Sequence, residues 1–141
     1  MSINKRIEAL RNAMDRRGID AYVIPTSDPH QSEYVAEHWK AREWISGFTG
    51  SAGTAVVTKS HAGLWTDSRY YLQAEEQLAE SEFELHKLRS QGFPEYISWL
   101  TEHLGPETVV GFDGTVMPLG TVRKMIRSFD DAEIELFYKT D

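Results

Sequence analysis

Thr54-Ala-Val-Val-Thr-Lys-Ser-His-Ala-Gly-Leu-Trp-Thr66 is the stretch on which the fold turns. Thr54 to Thr58 is a short apolar, β-branched run. Lys59 to Gly63 has the composition of a turn, and Leu64-Trp-Thr66 starts a second strand. Two such strands this close in sequence pair as an antiparallel hairpin.

On the N-terminal side, Ile3, Ile7, Leu10 and Met14 recur at i, i+4, i+7 and i+11, one stripe of an amphipathic helix. Ser2 suits its N-cap and Gly18 its stop, with Arg16 and Arg17 in the last turn, where cations oppose the helix dipole. The helix carries five basic and two acidic residues, read as a solvated face, with docking on an acidic neighbour as the alternative. Ala21-Tyr-Val-Ile24, ended by Pro25, reads as a buried strand. Glu33 to Phe48 reads as mostly helical, with Trp44, Ile45 and Phe48 on one side; Gly47, Gly50 and Gly53 then break the chain.

On the C-terminal side the pattern alternates. Arg69 to Ala79 is a helix with Tyr71, Leu72 and Leu78 expected inward. Phe83 to Leu88 alternates at period two. Tyr96, Ile97, Leu100 and Leu104 share a helical face, Val109 to Phe112 is a strand, Leu119, Val122, Ile126 and Phe129 form another stripe, and Ile134 to Phe137 alternates again. The order α-β-α-β-β-α-β-α-β-α-β predicts an α/β sheet with helices on both faces. The hairpin makes that sheet mixed rather than wholly parallel.

The 141 residues suit one domain, 1–141, and that length needs no covalent staple to bury a core. Without cysteine there is no disulfide, thiolate metal site or thiol nucleophile. A net charge of −7 opposes nucleic-acid binding, and no basic stripe interleaved with aromatics appears. No run approaches the roughly 18 apolar residues of a membrane span, and the N-terminus is not a secretory signal. The expectation is a cytoplasmic domain with neither nucleic-acid nor membrane partners.

Polar residues crowd three places: Ser27 to Tyr34, Ser46 to Thr54 and Thr66 to Tyr70. Asp28, His30, Glu33, Glu37 and His38 are metal-ligand types, but no H-E-x-x-H spacing joins them; Asp28 and His30 read more simply as a loop cap and hydrogen-bond pair. Ser51 lacks the glycine two residues before it that a nucleophile elbow needs. The glycines of this loop match no phosphate-binding pattern, so Gly47, Gly50 and Gly53 read as loop structure. Asp28, Asp67 and Asp113 could gather at strand ends, though the acidic balance opposes a nuclease. Arg69 follows Asp67 among aromatics; it could pair with Asp67 or grip a substrate carboxylate, and from spacing alone the internal pair is favoured.

His30-Gln-Ser-Glu-Tyr34, Ser46-Gly-Phe-Thr-Gly-Ser-Ala-Gly-Thr54 and Trp65-Thr-Asp-Ser-Arg-Tyr70, in that order and spacing, resemble the N-terminal domain of Xaa-Pro aminopeptidases. These belong to the creatinase/prolidase metallopeptidases, and the three-domain cytosolic type is the nearest pattern. Ser68 stands where such proteins often have glycine, and Thr49 where the family varies. The resemblance implies a mixed six-stranded sheet similar to the ribonuclease H architecture. It implies that catalysis, removal of the residue before a penultimate proline, belongs to a separate C-terminal domain with two divalent metals, usually manganese. No catalytic or metal-binding residue is assigned to this chain. Its implied partners are that catalytic domain, a peptide with penultimate proline, and other copies in a homo-oligomer. Arg69, Tyr70, His30 and Ser51 become candidates for the rim of the substrate site, with Asp67 and the loop glycines as structural support. A free-standing binding module and the N-terminal domain of a prolidase- or creatinase-like hydrolase are the competing readings.

Overall fold

The computed structural model describes residues 2–25, 41–50, 52–88, 94–113 and 117–139. Its helices are α1 (Ile3–Arg17), α2 (Ala41–Ser46), α3 (Tyr71–Leu78), α4 (Glu95–His103) and α5 (Leu119–Asp131). Its strands are β1 (Ala21–Pro25), β2 (Thr54–Thr58), β3 (Ala62–Thr66), β4 (Phe83–Lys87), β5 (Val109–Asp113) and β6 (Glu135–Lys139). A 3-10 turn, Ser68–Tyr70, leads into α3.

The six strands form one sheet in the order β4-β3-β2-β1-β5-β6. The β1–β2 and β2–β3 pairs are antiparallel; β3–β4, β1–β5 and β5–β6 are parallel. Thus β2 alone opposes five strands of common direction, which is the mixed sheet the hairpin predicted. The hairpin turn is shorter than its composition suggests: Ala62 and Gly63 already belong to β3, opposite Val57 and Val56. The Thr58 hydroxyl closes the turn by accepting from His61 N at 2.9 Å, while Thr58 N donates to His61 O at 2.7 Å.

Period-two alternation splits the sheet into two cores. Ile7 and Met14 of α1, Ile45 of α2, and Ala74 and Leu78 of α3 pack on Ile24, Ala55, Val57, Leu64 and Phe83. Tyr96, Ile97 and Leu100 of α4 and Met125 and Phe129 of α5 pack on Val23, Val56, Trp65, Val110 and Phe112. Each large side chain so buried stabilises by roughly 1.5–3 kcal/mol. Ser2 accepts from Lys5 N at 3.2 Å, and Gly18 ends α1 at φ +70°.

Three expectations need correction. Leu72 is 72% exposed; the inward stripe of α3 is Ala74 and Leu78, since the helix enters through a 3-10 turn that resets its phase. On α5, Leu119 and Ile126 lie outward at 64% and 50% exposure, and the buried positions are Met125 and Phe129, because α5 turns that face toward α4 and the sheet. The basic residues of α1 are not merely solvated. Arg6 donates to Trp44 O at 2.6 Å, and Arg11 donates to Thr58 O at 2.7 Å and pairs with Glu82. The predicted helix over Glu33–Phe48 is seen as Ala41–Ser46, the part before it lying outside the described residues.

Across the centre of the sheet, Asp20 N donates to Val109 O at 2.7 Å, and the Asp20 carboxylate accepts from Val109 N at 2.8 Å. This double contact registers β5 on β1.

Candidate functional site

The antiparallel turn into β2 brings the loop before β2 to the same end of the sheet as the C-terminal ends of β1 and β3, with Pro25 opposite Thr54 and Thr54 opposite Trp65. Two of the three polar stretches therefore meet. His30 and Ser51 lie outside the described residues, as do Asp28, Glu33, Glu37 and His38. Asp113 ends β5.

Asp67 leaves β3 in an extended conformation and caps the 3-10 turn, its carboxylate accepting from Arg69 N at 3.0 Å. The same carboxylate takes the Arg69 guanidinium with both oxygens, from Nε at 2.9 Å and from the terminal nitrogen at 2.9 Å. The internal pair is thus formed, yet the Arg69 side chain remains 66% exposed. Hydrogen bonding from Arg69 holds the Asp67 carboxyl below its ordinary value, and the carboxylate raises that of the guanidinium. Tyr70 lies under the Arg69 cation at 5.1 Å and meets the edge of Phe48 at 6.0 Å between ring centres.

Phe48 organises the neighbouring loop. The Ser46 hydroxyl donates to Arg42 O at 2.7 Å and accepts from Phe48 N at 3.1 Å. A Cβ at Gly50 would lie 2.3 Å from the Phe48 ring, so only glycine fits there. At Gly53 the neighbours are the Arg42 guanidinium, Phe48 and Trp65 O, 3.1–3.3 Å from a built Cβ. Gly47 is required for a different reason, its φ of +76°. Arg42, buried under this loop, donates to Gly50 O and lies 5.0 Å from the Phe48 ring. Burial lowers its pKa to about 10. Its Nε and Nη1 have no hydrogen-bond partner among the described residues. Thr49 joins the loop to α3: its amide donates to Gln77 at 3.0 Å, and its hydroxyl accepts from Gln73 and Gln77, each at 3.0 Å. Thr66 Oγ1 donates to Ala52 O at 2.7 Å.

Sequence reasoning singled out Arg69, Tyr70 and the glycines, which lie close together in the structure, but did not anticipate Arg42, Gln73 and Gln77 as the loop's supports. The legible signal was Gln73 and Gln77 at i, i+4, one helical face; Arg42 gave none, because an arginine in a short helix reads as surface.

Sequence reasoning also missed a second cluster, on the α4 side of the sheet toward the hairpin turn. His61, Glu84 and His86 offer ligand atoms all within 4.8 Å of one another. His61 Nε2 and His86 Nε2 are 2.9 Å apart, and His61 Nδ1 lies 3.6 Å from the Glu84 carboxylate. Burial lowers the pKa of both histidines, which favours their neutral forms. They face a cleft of about 690 Å³ that Asp20, Trp99 and His103 also line. Its sequence signal was Glu84 and His86 two apart on one strand face.

Fold and loops together define a class: a mixed-sheet α/β domain with an exposed arginine beside a glycine-rich loop braced by glutamine contacts. The chain belongs to the Creatinase/Prolidase N-terminal domain family, whose description matches residues 6–137. It is 43% identical over 131 residues to Xaa-Pro aminopeptidase 2 of Rattus norvegicus, covering 93% of this chain and 19% of that protein. It is 40% identical over all 141 residues to Xaa-Pro aminopeptidase 1 of Dictyostelium discoideum, 22% of that protein. The chain thus spans about a fifth of the length of these relatives and matches an N-terminal part of Xaa-Pro aminopeptidases. Among solved structures, X-prolyl aminopeptidase of Caenorhabditis elegans, described as a cytosolic enzyme with a di-nuclear active site, superposes with a TM-score of 0.90 at 29% identity, over 100% of this chain and 24% of that one. The N-terminal domain of the cytoplasmic peptidase PepQ from Mycobacterium tuberculosis gives 0.74 at 25% identity, over 97% and 94%. Among the described residues no helix is long and apolar enough to cross a membrane.

Proposed function

We propose that residues 1–141 form the non-catalytic N-terminal domain of a cytoplasmic Xaa-Pro aminopeptidase, and that its Asp67–Arg69–Tyr70 rim reads the end of the peptide substrate. The parent enzyme would remove the first residue from peptides with penultimate proline, using two divalent metal ions, manganese in this reading, held by its C-terminal domain. This chain assigns no ligand to that centre. Its own contribution is recognition, closure of the active-site mouth and contact between copies, for which outward Leu119 and Ile126 on α5 offer apolar surface.

The observation that carries the site assignment is the bidentate Asp67–Arg69 pair on a two-thirds exposed guanidinium. Two carboxylate oxygens fix the fork without burying it, so the remaining N–H donors are pre-oriented for a second carboxylate, such as a peptide C-terminus. In the full-length parent, Arg69→Ala should raise KM for short proline peptides by about tenfold or more, the scale of one charge-assisted hydrogen bond, with kcat little changed. Unchanged KM would remove Arg69 from the rim. Residues 1–141 alone should release no amino acid from the same peptides, and release would overturn the non-catalytic reading.

A further inference from the structure

The histidine cluster owes nothing to the peptidase reading. His86 lies flat on Trp65, ring centres 3.9 Å apart and planes 8° apart, while His61 is tilted on Trp99 at 4.9 Å. Trp99 in turn stacks on His103 at 4.1 Å. A Cβ at Gly63 would come within 2.7 Å of the Trp65 ring and 2.8 Å of the His86 ring, so the missing side chain gives both rings their place. The hairpin turn fixes His61 from the other side. Lys59, the cation nearest in sequence, is drawn to Asp15 at 3.9 Å and Asp20 at 3.3 Å. Arg11 is held by Glu82 and Thr58 O.

We propose that His61 and His86 bind one borderline divalent transition cation, of the zinc type, through their facing Nε2 atoms, with Glu84 as the carboxylate that orients His61. Tetrahedral Zn–N bonds of roughly 2.0–2.1 Å put two ligand nitrogens about 3.3 Å apart, so the observed 2.9 Å separation needs to open only slightly. In the free protein the 2.9 Å contact holds one Nε2 hydrogen between the two rings, so on binding the donor ring moves that hydrogen to its Nδ1 and frees its Nε2 lone pair for the metal. At His61 the Glu84 carboxylate, 3.6 Å from Nδ1, needs only a small closure to accept it. The remaining coordination positions face the cleft and take water. Because β4 is the outermost strand beside β3, the ion would tie the hairpin turn to the sheet edge.

The test is calorimetric titration of ZnCl2 into residues 1–141 at pH 7.5 in a non-chelating buffer, followed by thermal melts. One equivalent should bind with Kd of about 10 μM or below. Zinc at a hundredfold excess over Kd should raise Tm by roughly 5–10 °C. His61→Gln and His86→Gln should each weaken binding at least about tenfold. Glu84→Gln should weaken it by about tenfold while leaving the metal-free Tm unchanged, which a purely structural carboxylate would not do. Should a histidine variant fail to fold, the wild-type ring nitrogens of His61 and His86 must still shift in a nitrogen-15 spectrum on adding zinc. No saturable uptake below about 100 μM, equal uptake by the histidine variants, or unmoved ring resonances would each overturn the site.

Discussion

At the scale of single residues, the loop before β2 depends on small groups in fixed places. Gly50→Ala puts a methyl into the Phe48 ring and should destabilise the chain by about 1–3 kcal/mol, read as a lower urea midpoint at unchanged slope. Asp67 gives the pH dependence. Its folded pKa lies below the ordinary carboxylate value of about 3.9, so the unfolded state binds more protons in that interval. Its contribution is complete above roughly pH 5 and is lost as pH falls through the unfolded and then the folded value; solvent screening keeps it small. Asp67→Asn should therefore narrow its gap from wild type as the urea midpoint is followed from about pH 7 down to pH 3. Arg69 and Asp67 were legible as a pair because they are two apart after a strand. Arg42 was not, because its role appears only once Gly50 and Gly53 bring the loop down onto it.

At the scale of elements, periodicity found every described helix and strand but not always the face. The stripes of α1 and α4 were read correctly, since their apolar residues fall on one side only. On α5, apolar residues occur at Leu119, Val122, Met125, Ile126 and Phe129, a band wide enough to admit two choices, and packing against α4 and the sheet selects Met125 and Phe129. Met125→Ala should cost about 2–5 kcal/mol, whereas Ile126→Ala should stay within about 0.5–1 kcal/mol; chemical denaturation of the two variants checks the assignment. The hairpin was legible because β-branched residues bracket a polar turn. Its true length was not, because Gly63 looks like a turn glycine and is a strand glycine making room for the Trp65 ring on its own strand and the His86 ring on the next.

At the scale of the molecule, the sheet is shared by both cores, so neither half can lose its packing alone. Melts followed by tryptophan fluorescence and by far-ultraviolet circular dichroism should coincide in one transition; separate midpoints would show that the two faces unfold independently. The mixed architecture was legible from element order, yet strand order was not, because nothing local in the sequence says that β1 lies between β2 and β5. The meeting of the loop before β2 with the turn after β3 follows from the hairpin, which sets Thr54 opposite Trp65, and was therefore implied by the sequence; strand order adds the end of β1, with Pro25 opposite Thr54.

The double hydrogen bond of Asp20 with Val109 joins groups 89 residues apart. Every pairing among β1 to β4 spans a shorter stretch of chain. Closing the longest loop costs the most chain entropy and earns nothing until β5 arrives. The hairpin end can therefore zip before β5 and β6 dock, and a ribosome would release the former well before the latter. Asp20 is then the latch of a late step: its replacement by Asn or Ala should slow refolding less than it speeds unfolding.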